Sequence, residues 1–485
     1  MRGLYTAGQV RAAEEPLLAA TPEGTLMQRA ATGLATVCLR LLGRAHGTRV
    51  TALVGAGNNG GDALFAGAHL ARRGARVTAV LLDPERVHPA GLAALRAAGG
   101  RVTGPGGPTG LERADLVLDG IVGIGGRGGL RAPAAALVER AATGPGLMVA
   151  VDVPSGVDAT TGAVPGAAFP AQHTVTFGAV TTGLVVGAGR GCAGEVHLVD
   201  IGLDLPAPDA WQLTDADVAA RIRLPHTGDD KYTQGVVGVV AGSATYPGAA
   251  VLCTGAALRT RPGLVRYAGT AATGVRAAWP EVIVTEGRPA DAGRVQAWAV
   301  GPGIGTDDDA RAVLAEVLAT DLPVLLDADA LTLAAREPEL VRGRSAPTVL
   351  TPHDREYARF GEEVGDDRVG AARRLAADLG AVVLLKGDAT VVAAPGGTAH
   401  VNGTGTPWMA TAGTGDVLSG ILGALLATGL PADEAAAVAA HVHGRAGQLA
   451  AEEGPLVAGD LMRRLPAALH RLRRAPAGRL GDSGA

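Results

Sequence analysis

The sharpest chemical motif in the sequence is a small-residue turn that leads into an apolar helix at 411–420 (TAGTGDVLSG). The first amides of a helix have no intrahelical acceptor, so Gly413, Thr414 and Gly415 would form an anion hole for a phosphoryl group in transfer. Asp416, which follows them, would take a proton from a substrate hydroxyl. The alternative is that Asp416 only caps the helix. The motif therefore indicates phosphoryl transfer, with a structural role for Asp416 left open.

Three further loops in the second half of the chain follow predicted strands. The sequence GPGIG at 301–305 permits close approach of a ligand, and His353 follows another strand, although a lone histidine is usually structural. Lys386 is one of only two lysines, with Lys231, and opens the sequence KGDAT, which could hold a nucleotide phosphate. The alternative is a β-turn with an exposed lysine. The chain has no GxxxxGK[ST] sequence, so it is not a P-loop kinase.

The first half of the chain has a glycine-rich loop, GAGNNGGD at 55–62, between a predicted strand and a predicted helix. Its GxGxxG spacing, with Asp83 at the end of the next strand, is typical of a Rossmann dinucleotide site. However, the carboxylate of Asp62 at the expected helix start would itself interact with the positive end of the helix dipole and would repel a pyrophosphate.

Two more loops follow later strands of the first half, DGIVGIGGRGG at 119–129 and DVPSGVD at 152–158. Because the carboxyl ends of parallel strands line one crevice, we expect both loops to meet the glycine-rich loop there. Asn59, Asp119 and Ser155 would offer hard oxygen donors, and Asp152 would act as an acid or base. We expect Asp158 to cap the following turn rather than to catalyse.

The elements that position these loops alternate between short buried strands and longer helices, which predicts an α/β protein with parallel sheets covered on both faces. The predicted domains are 1–210, Rossmann-like, and 222–475, with a linker at 211–221 and a disordered tail at 476–485. The predicted strands are Val50–Val54, Val77–Leu82, Leu116–Leu118, Met148–Val151, Gly235–Ala241, Ala297–Val300, Val324–Leu326, Val349–Leu350 and Val382–Leu385.

The composition favours a protein of the cytoplasm. Lysine and arginine number 43 and aspartate and glutamate 47, a net charge of −4 that argues against nucleic-acid binding. We expect no signal peptide and no membrane span. Cys38, Cys192 and Cys253 lie far apart and form neither a metal motif nor a disulfide framework, which fits a reducing compartment.

The three loops of the first half together resemble the NAD(P)H-hydrate epimerase family over about residues 1–210. The resemblance implies that Asn59, Asp119 and Ser155 help to coordinate K⁺, and that Asp152 contacts the substrate near the reacting ring. The residues that it implies hold the hydrated dinucleotide are Asn58, Asn59, Gly60, Gly61, Asp62, Gly123, Ile124, Gly125, Gly126, Arg127, Gly128 and Gly129.

The second half resembles the ribokinase-like superfamily and, within it, the ADP-dependent NAD(P)H-hydrate dehydratases over about residues 222–475. The matching sequences are KYTQGVVGVVAGSATYPGAA, GPGIG, TPHDREYARF, KGDAT and AGTGDVLSG. The resemblance implies substrate contacts by Ala250, Gly303, His353 and Asp416. It implies nucleotide binding by Lys386, Gly387, Asp388, Ala389, Thr390 and Gly415. It leaves Lys231 without a role.

Together the resemblances imply that the chain repairs hydrated NADH and NADPH. The first domain would interconvert the R and S hydrates, and the second would dehydrate the S hydrate with ADP and Mg²⁺, giving AMP and phosphate. The only expected binding partners are small molecules, and the sequence leaves open whether the chain forms a homo-oligomer. Three alternatives remain: a vitamin-precursor kinase with an N-terminal nucleotide-binding module, an NAD-linked oxidoreductase, and a non-enzymatic sensing or interaction module.

Overall fold

The computed structural model describes residues 1–223, 225–260 and 263–474. The predicted tail at 476–485 lies outside the described residues. The chain divides into two compact units, an N-terminal unit of Gly3–Ala210 and a C-terminal unit that runs from Trp211 and includes Met1–Arg2. None of the helices in the described ranges is long and apolar enough to cross a membrane.

The first part of the chain alternates strands and helices as the sequence predicts. Its strands are β1 (Arg2–Leu4), β2 (Arg49–Val54), β3 (Arg76–Leu81), β4 (Arg101–Thr103), β5 (Leu116–Gly120), β6 (Leu147–Val151), β7 (His173–Phe177) and β8 (Glu195–Val199). Its helices are α1 (Ala7–Ala20), α2 (Thr25–Leu42), α3 (Asn58–Arg72), α4 (Pro89–Ala97), α5 (Ala134–Ala142) and α6 (Gly187–Ala193).

The sheet of the N-terminal unit is parallel and runs in the order β4-β3-β2-β5-β6-β7-β8. Successive residues of β2 enter opposite cores: Val50 and Ala52 pack with Leu34 of α2, whereas Leu53 packs with Val138 of α5. This burial on both faces explains the continuous apolar runs. The chain leaves β2 toward β3 and later crosses to β5, so a topological switch point lies between β2 and β5, where ligands of open α/β sheets bind.

The second part of the chain repeats this plan. Its strands are β9 (Ala210–Gln212), β10 (Val236–Val240), β11 (Leu264–Ala268), β12 (Ile283–Thr285), β13 (Ala297–Val300), β14 (Val324–Leu326), β15 (Thr348–Leu350), β16 (Val382–Leu385), β17 (Thr390–Ala393) and β18 (Ala399–Asn402). Its helices are α7 (Asp215–Arg221), α8 (Pro247–Thr260), α9 (Ala272–Ala278), α10 (Asp308–Leu318), α11 (Asp329–Arg336), α12 (Glu339–Arg342), α13 (Asp354–Tyr357), α14 (Arg368–Leu379), α15 (Thr414–Leu426), α16 (Ala432–Ala451) and α17 (Ala458–Arg474).

The sheet of the C-terminal unit is parallel from β12 through β11, β10, β13, β14 and β15 to β16, and it then continues with the antiparallel pairs β16–β17 and β17–β18. The apolar α15 is buried between this sheet and its helical neighbours, with Val417 and Ile421 fully buried in the main core. The α/β fold class predicted from the sequence is confirmed.

The segment 211–221 differs from the expected linker. It holds the end of β9 and the helix α7, which begins with a capping box at Thr214 and Asp217. Val218 of α7 is fully buried in the core of the C-terminal unit. The proline-rich composition before residue 211 suggested a linker, but the capping residues and the buried valine make the segment an ordered part of this unit.

Candidate active sites

The N-terminal candidate site forms where the loops after β2, β5 and β6 meet at the carboxyl edge of the sheet, as the sequence predicts. Ser155 of the third loop reaches Asp119 of the second: its amide donates to Asp119 Oδ2 at 2.8 Å and its hydroxyl to Oδ1 at 2.7 Å. The amide of Val122 in turn donates to Ser155 Oγ at 2.9 Å. Burial raises the pKa of Asp119 to about 6, against the lowering effect of these hydrogen bonds.

Asp152 is held in an uncommon conformation beside that pair. Its φ of +68° lies in the left-handed region, which costs free energy for a residue other than glycine and marks many functional positions. Its Oδ2 accepts from the amide of Ile124 at 2.6 Å and its Oδ1 from the hydroxyl of Thr176 at 3.4 Å. Burial raises the pKa of the Asp152 carboxyl, which favours its protonated form.

Two acids share the surroundings of Asp152. Burial raises the pKa of Asp62 well above its usual range, and the charges of Asp152 and Glu14 add to the rise. Glu14, on α1, has a pKa raised by burial and by the charge of Asp152. Arg11, one turn earlier, opposes this by lowering the pKa of Asp152. Sequence reasoning missed Glu14 and Arg11, because neither belongs to a motif.

The glycine-rich loop differs from the sequence expectation at Asp62. The helix α3 begins at Asn58, so Asp62 lies inside the helix, buried, with an unpartnered Oδ1, and does not cap its start. Gly57 supplies the turn before the helix with a φ of +88°. Asn58 is exposed, whereas a side chain at Gly61 would meet Met27 Sδ at 2.9 Å. Asn58 and Asn59 are thus presented by the first helical turn rather than by a flexible loop.

The second loop brings its backbone against the acids. A Cβ at Gly123 would lie 2.6 Å from Asp152 Oδ2 and 3.1 Å from Asn59 Cγ, so only glycine fits there. Gly128 has a φ of +75°, and Arg127 is exposed. Asp158, in the third loop, accepts from the amides of Thr160 and Thr161 at 2.9 and 2.8 Å, which agrees with the capping role expected for it.

The C-terminal candidate site is centred on Lys386, at the end of β16. Its ammonium lies 2.7 Å from Asp327 Oδ1 and 3.4 Å from Glu356 Oε2. Asp327 Oδ2 also accepts from the hydroxyl of Ser419 at 2.6 Å. Burial lowers the pKa of Lys386, but the two carboxylates raise it further, so the net shift is upward and the lysine stays charged. Lys386 is therefore not the exposed turn lysine that the sequence left as an alternative.

Asp416 occupies the third position of α15, whose N-cap is Gly413 with a φ of +86°. Asp416 is therefore not the N-cap residue of α15, as the alternative of a purely capping role required. Burial raises the pKa of Asp416 to about 7, and the charge of Asp327 adds to the rise while that of Lys386 opposes it. A carboxylate with a pKa near neutrality is suited to general base catalysis.

A cavity of about 1160 Å³ adjoins the start of α15. Several predicted residues line it, namely His353, Lys386, Gly387, Asp388, Thr390, Thr414 and Gly415. His353 caps α13, its Nδ1 accepting from the amides of Arg355 and Glu356 at 3.1 and 3.2 Å. The cavity has the size of a nucleotide-binding cleft.

Five predicted residues are not among those that line this cavity, namely Ala250, Gly303, Ala389, Gly413 and Asp416. Ala250 is fully buried against Gly242, and Ala389 is 1% exposed. Gly303, with a φ of +68°, packs against Tyr246 and is not part of the cavity wall. Close approach of neighbouring chain segments explains the small residues at 250 and 303, and contact of these positions with substrate stays a prediction.

The cavity also has walls that sequence reasoning missed. His443 of α16 lies 2.9 Å through its Nε2 from the carbonyl of Thr414, and burial lowers its pKa to about 4, so a neutral ring holds the start of α15. Asn402 accepts from the amide and hydroxyl of Thr404 at 3.3 and 2.9 Å. Asn402 also lines the cavity, and it is one of only three asparagines in the chain, a rarity that marks it as a candidate for a chemical role.

The fold and the two sites define a two-domain α/β enzyme with a cluster of acidic side chains in each unit. Two family models match it: one described as YjeF-related protein N-terminus over residues 23–183, and one described as NAD(P)H-hydrate dehydratase over residues 237–468. A ribokinase-like superfamily protein of Enterococcus faecalis has a similar solved structure, with 25% identity and a TM-score of 0.51, over 56% of this chain and 99% of that one.

Full-length relatives identify the family. The bifunctional NAD(P)H-hydrate repair enzyme of Mycobacterium leprae is 56% identical over 94% of this chain and 96% of its own length. The enzyme of the same description from Corynebacterium glutamicum is 38% identical over 88% of this chain and 87% of its own. The chain belongs to the family of bifunctional NAD(P)H-hydrate repair enzymes.

Proposed function

We propose that the N-terminal unit interconverts the R and S epimers of hydrated NADH and NADPH, and that the C-terminal unit dehydrates the S epimer at the expense of ADP. The observation that carries the proposal is the pair of separate acids, Asp152 and Asp416, each beside glycine-rich backbone in its own unit. Family membership favours this function over a kinase, an oxidoreductase or an interaction module.

Dehydration requires activation because hydroxide is a poor leaving group. Asp416 removes the proton of the ring hydroxyl, whose oxygen attacks the terminal phosphorus of ADP and releases AMP. The charge on the phosphoryl group during transfer is stabilised by the backbone amides of Gly413, Thr414 and Gly415. The lone pair of the ring nitrogen then expels phosphate, and loss of a proton from the neighbouring carbon restores the dihydronicotinamide.

The nucleotide would lie in the cavity beside Lys386, with Gly387, Asp388 and Thr390 along the wall. Because Asp327 and Glu356 neutralise Lys386, we assign it mainly to positioning the start of α15 and only secondarily to the phosphate. Mg²⁺ would neutralise the remaining nucleotide charge, and Asp354 and Asp388 on the cavity wall offer the oxygen donors that it prefers.

Epimerisation inverts a carbon that carries both the hydroxyl and the ring nitrogen. Asp152 takes the hydroxyl proton as the carbon–nitrogen bond opens and a carbonyl forms, and it passes that proton to the nitrogen. Reclosure on the other face then reverses these steps. The raised pKa of Asp152 suits a group that alternates between acid and base. Asn58, Asn59 and the backbone of 123–129 would hold the dinucleotide.

K⁺ would occupy the pocket formed by Asn59, Asp119 and Ser155. The Asp119 carboxylate is fully buried, and no basic side chain among the described residues lowers its pKa, so a monovalent cation would supply the missing charge. The Asn59 amide oxygen faces the amide of Gly123 at 3.2 Å, and oxygen donors of this kind replace the hydration shell of K⁺.

Replacing K⁺ by Li⁺ is therefore expected to slow epimerisation by about 10-fold, the effect of losing roughly 1.4 kcal/mol of charge compensation. The measurement is the rate of conversion of the pure R hydrate, followed by chromatography at constant ionic strength. In Asp119→Asn the dependence on the cation should disappear, because the buried charge that the cation compensates is gone. Equal wild-type rates in both salts would remove K⁺ from the site.

The rate of dehydration should fall on the acidic side of pH 7, because Asp416 acts only when ionised and its pKa is about 7. Below that pH the single-turnover rate should drop by up to about 10-fold per unit, with a plateau above it. Asp327→Asn removes a negative charge beside Asp416, so its acidic limb should move to lower pH. An unshifted limb would show that Asp416 is not the titrating base.

The whole proposal is tested by incubating a mixed-epimer hydrate with ADP and Mg²⁺ and following the recovery of dihydronicotinamide absorbance. Full recovery with stoichiometric AMP and phosphate supports it. A stable phosphorylated product would instead indicate a kinase, and hydride transfer to a second substrate an oxidoreductase. The cytoplasmic location and a homo-oligomeric state stay predictions.

A further inference from the structure

An unassigned cluster of metal-ligating side chains lies on the last two strands of the N-terminal sheet. It consists of His173 on β7 and of Glu195 and His197 on β8, whose ligand atoms all lie within 4.8 Å of one another. In the sheet register His173 is opposite Glu195 and Val175 is opposite His197, so the three side chains share one face. We propose that this His173–Glu195–His197 cluster binds a divalent transition metal, with Zn²⁺ as the best match.

The distances suit zinc. His173 Nδ1 and His197 Nε2 are 3.1 Å apart, and His173 Nδ1 and Glu195 Oε2 are 3.6 Å apart. Two nitrogens at about 2.0–2.1 Å from a tetrahedral Zn²⁺ are about 3.3–3.4 Å apart, so small side-chain movements complete the site. Two histidines and one carboxylate form a ligand set that binds zinc with one position left open. Without metal, the two ring nitrogens lie at hydrogen-bond distance.

The surroundings allow metal entry. The Glu195 side chain is 68% exposed and the His173 side chain 18%, so an ion can reach the cluster from solvent. Arg40 of α2 is the basic group that faces His197, and the Glu195 carboxylate offsets its charge. β8 is the edge strand of the sheet, so a bound metal would link it to β7 and stabilise this edge.

The cluster is separate from the proposed epimerase site. Thr176, which contacts Asp152, lies three residues further along β7, about 10 Å from His173 at the usual strand rise. The metal therefore has a stabilising role and no direct part in proton transfer. This separation makes the proposal independent of the proposed function.

The test is equilibrium dialysis of the chelator-free full chain against Zn²⁺ alone. We expect one ion per chain, and we expect His173→Gln and His197→Gln each to weaken binding by at least about 100-fold, because even losing a partner of a metal ligand costs about 10–100-fold. Zn²⁺ should also raise the midpoint of thermal unfolding of the wild type but not of these variants.

His46→Gln is the matched control, since His46 is an exposed histidine of the same unit outside the cluster. It should bind Zn²⁺ like the wild type. Circular dichroism checks that the variants fold, and Co²⁺ substitution should give the visible absorption of a four-coordinate site in the wild type and in His46→Gln but not in the two cluster variants. No bound Zn²⁺, or equal binding by wild type and both cluster variants, would overturn the proposal.

Discussion

Asp416→Asn is expected to lower ADP-dependent dehydration of the S hydrate by about 10²-fold or more, the usual scale for loss of a general base. Asparagine keeps the size of the side chain but cannot accept the hydroxyl proton. Because Gly413 is the N-cap of α15, the substitution leaves the cap itself intact. Single-turnover conversion of the pure S hydrate measures the chemical step without interference from epimerisation.

Asp309→Asn is the matched control for that experiment. Asp309 is an exposed acid in the first turn of α10 in the same unit, so its loss removes a comparable interaction with a helix dipole but no catalytic group. It should leave dehydration unchanged. Epimerisation should survive in both variants, and dehydration near the wild-type rate in Asp416→Asn would remove Asp416 from its role.

The strands and the loops that follow them could be predicted from the sequence because their information is local. Apolar runs such as Ala297–Val300 and Val382–Leu385 have the same bounds in the structure as in the prediction. In contrast, β7 and β8 escaped prediction: β7 is buried but alternates threonines with apolar residues, and β8 is a short, partly exposed edge strand. The sequence signal of an edge strand is weaker because only one face needs apolar residues.

The charged partners of the sites could not be predicted, because they come from segments without motifs. Asp327 meets Lys386 only through the parallel register of β14, β15 and β16, which sequence spacing does not reveal. Glu14 approaches Asp152 from a helix more than a hundred residues away in sequence. Motifs identify backbone that must be glycine-rich, whereas the pKa of a catalytic acid depends on long-range neighbours.

The acids around Asp152 make its replacement the most informative experiment on the N-terminal unit. Asp152→Asn should slow conversion of the R hydrate by about 10²–10⁴-fold, the scale of general acid–base catalysis, and should leave the S hydrate fully usable. Asparagine tolerates positive φ better than most residues, so the backbone at +68° is preserved. In a mixed-epimer assay, absorbance should recover rapidly for the S fraction and then only at the spontaneous rate of epimerisation.

Asp158→Asn controls for a carboxylate lost from the same loop. Asp158 accepts backbone hydrogen bonds through Oδ1, which an asparagine oxygen can still accept, so this variant should consume both epimers at wild-type rates. If Asp152→Asn also consumed both epimers faster than the spontaneous rate, Glu14 or Asp62 would have to be the proton carrier. Their carboxyls, whose pKa values are also raised by burial, would then be the next to replace.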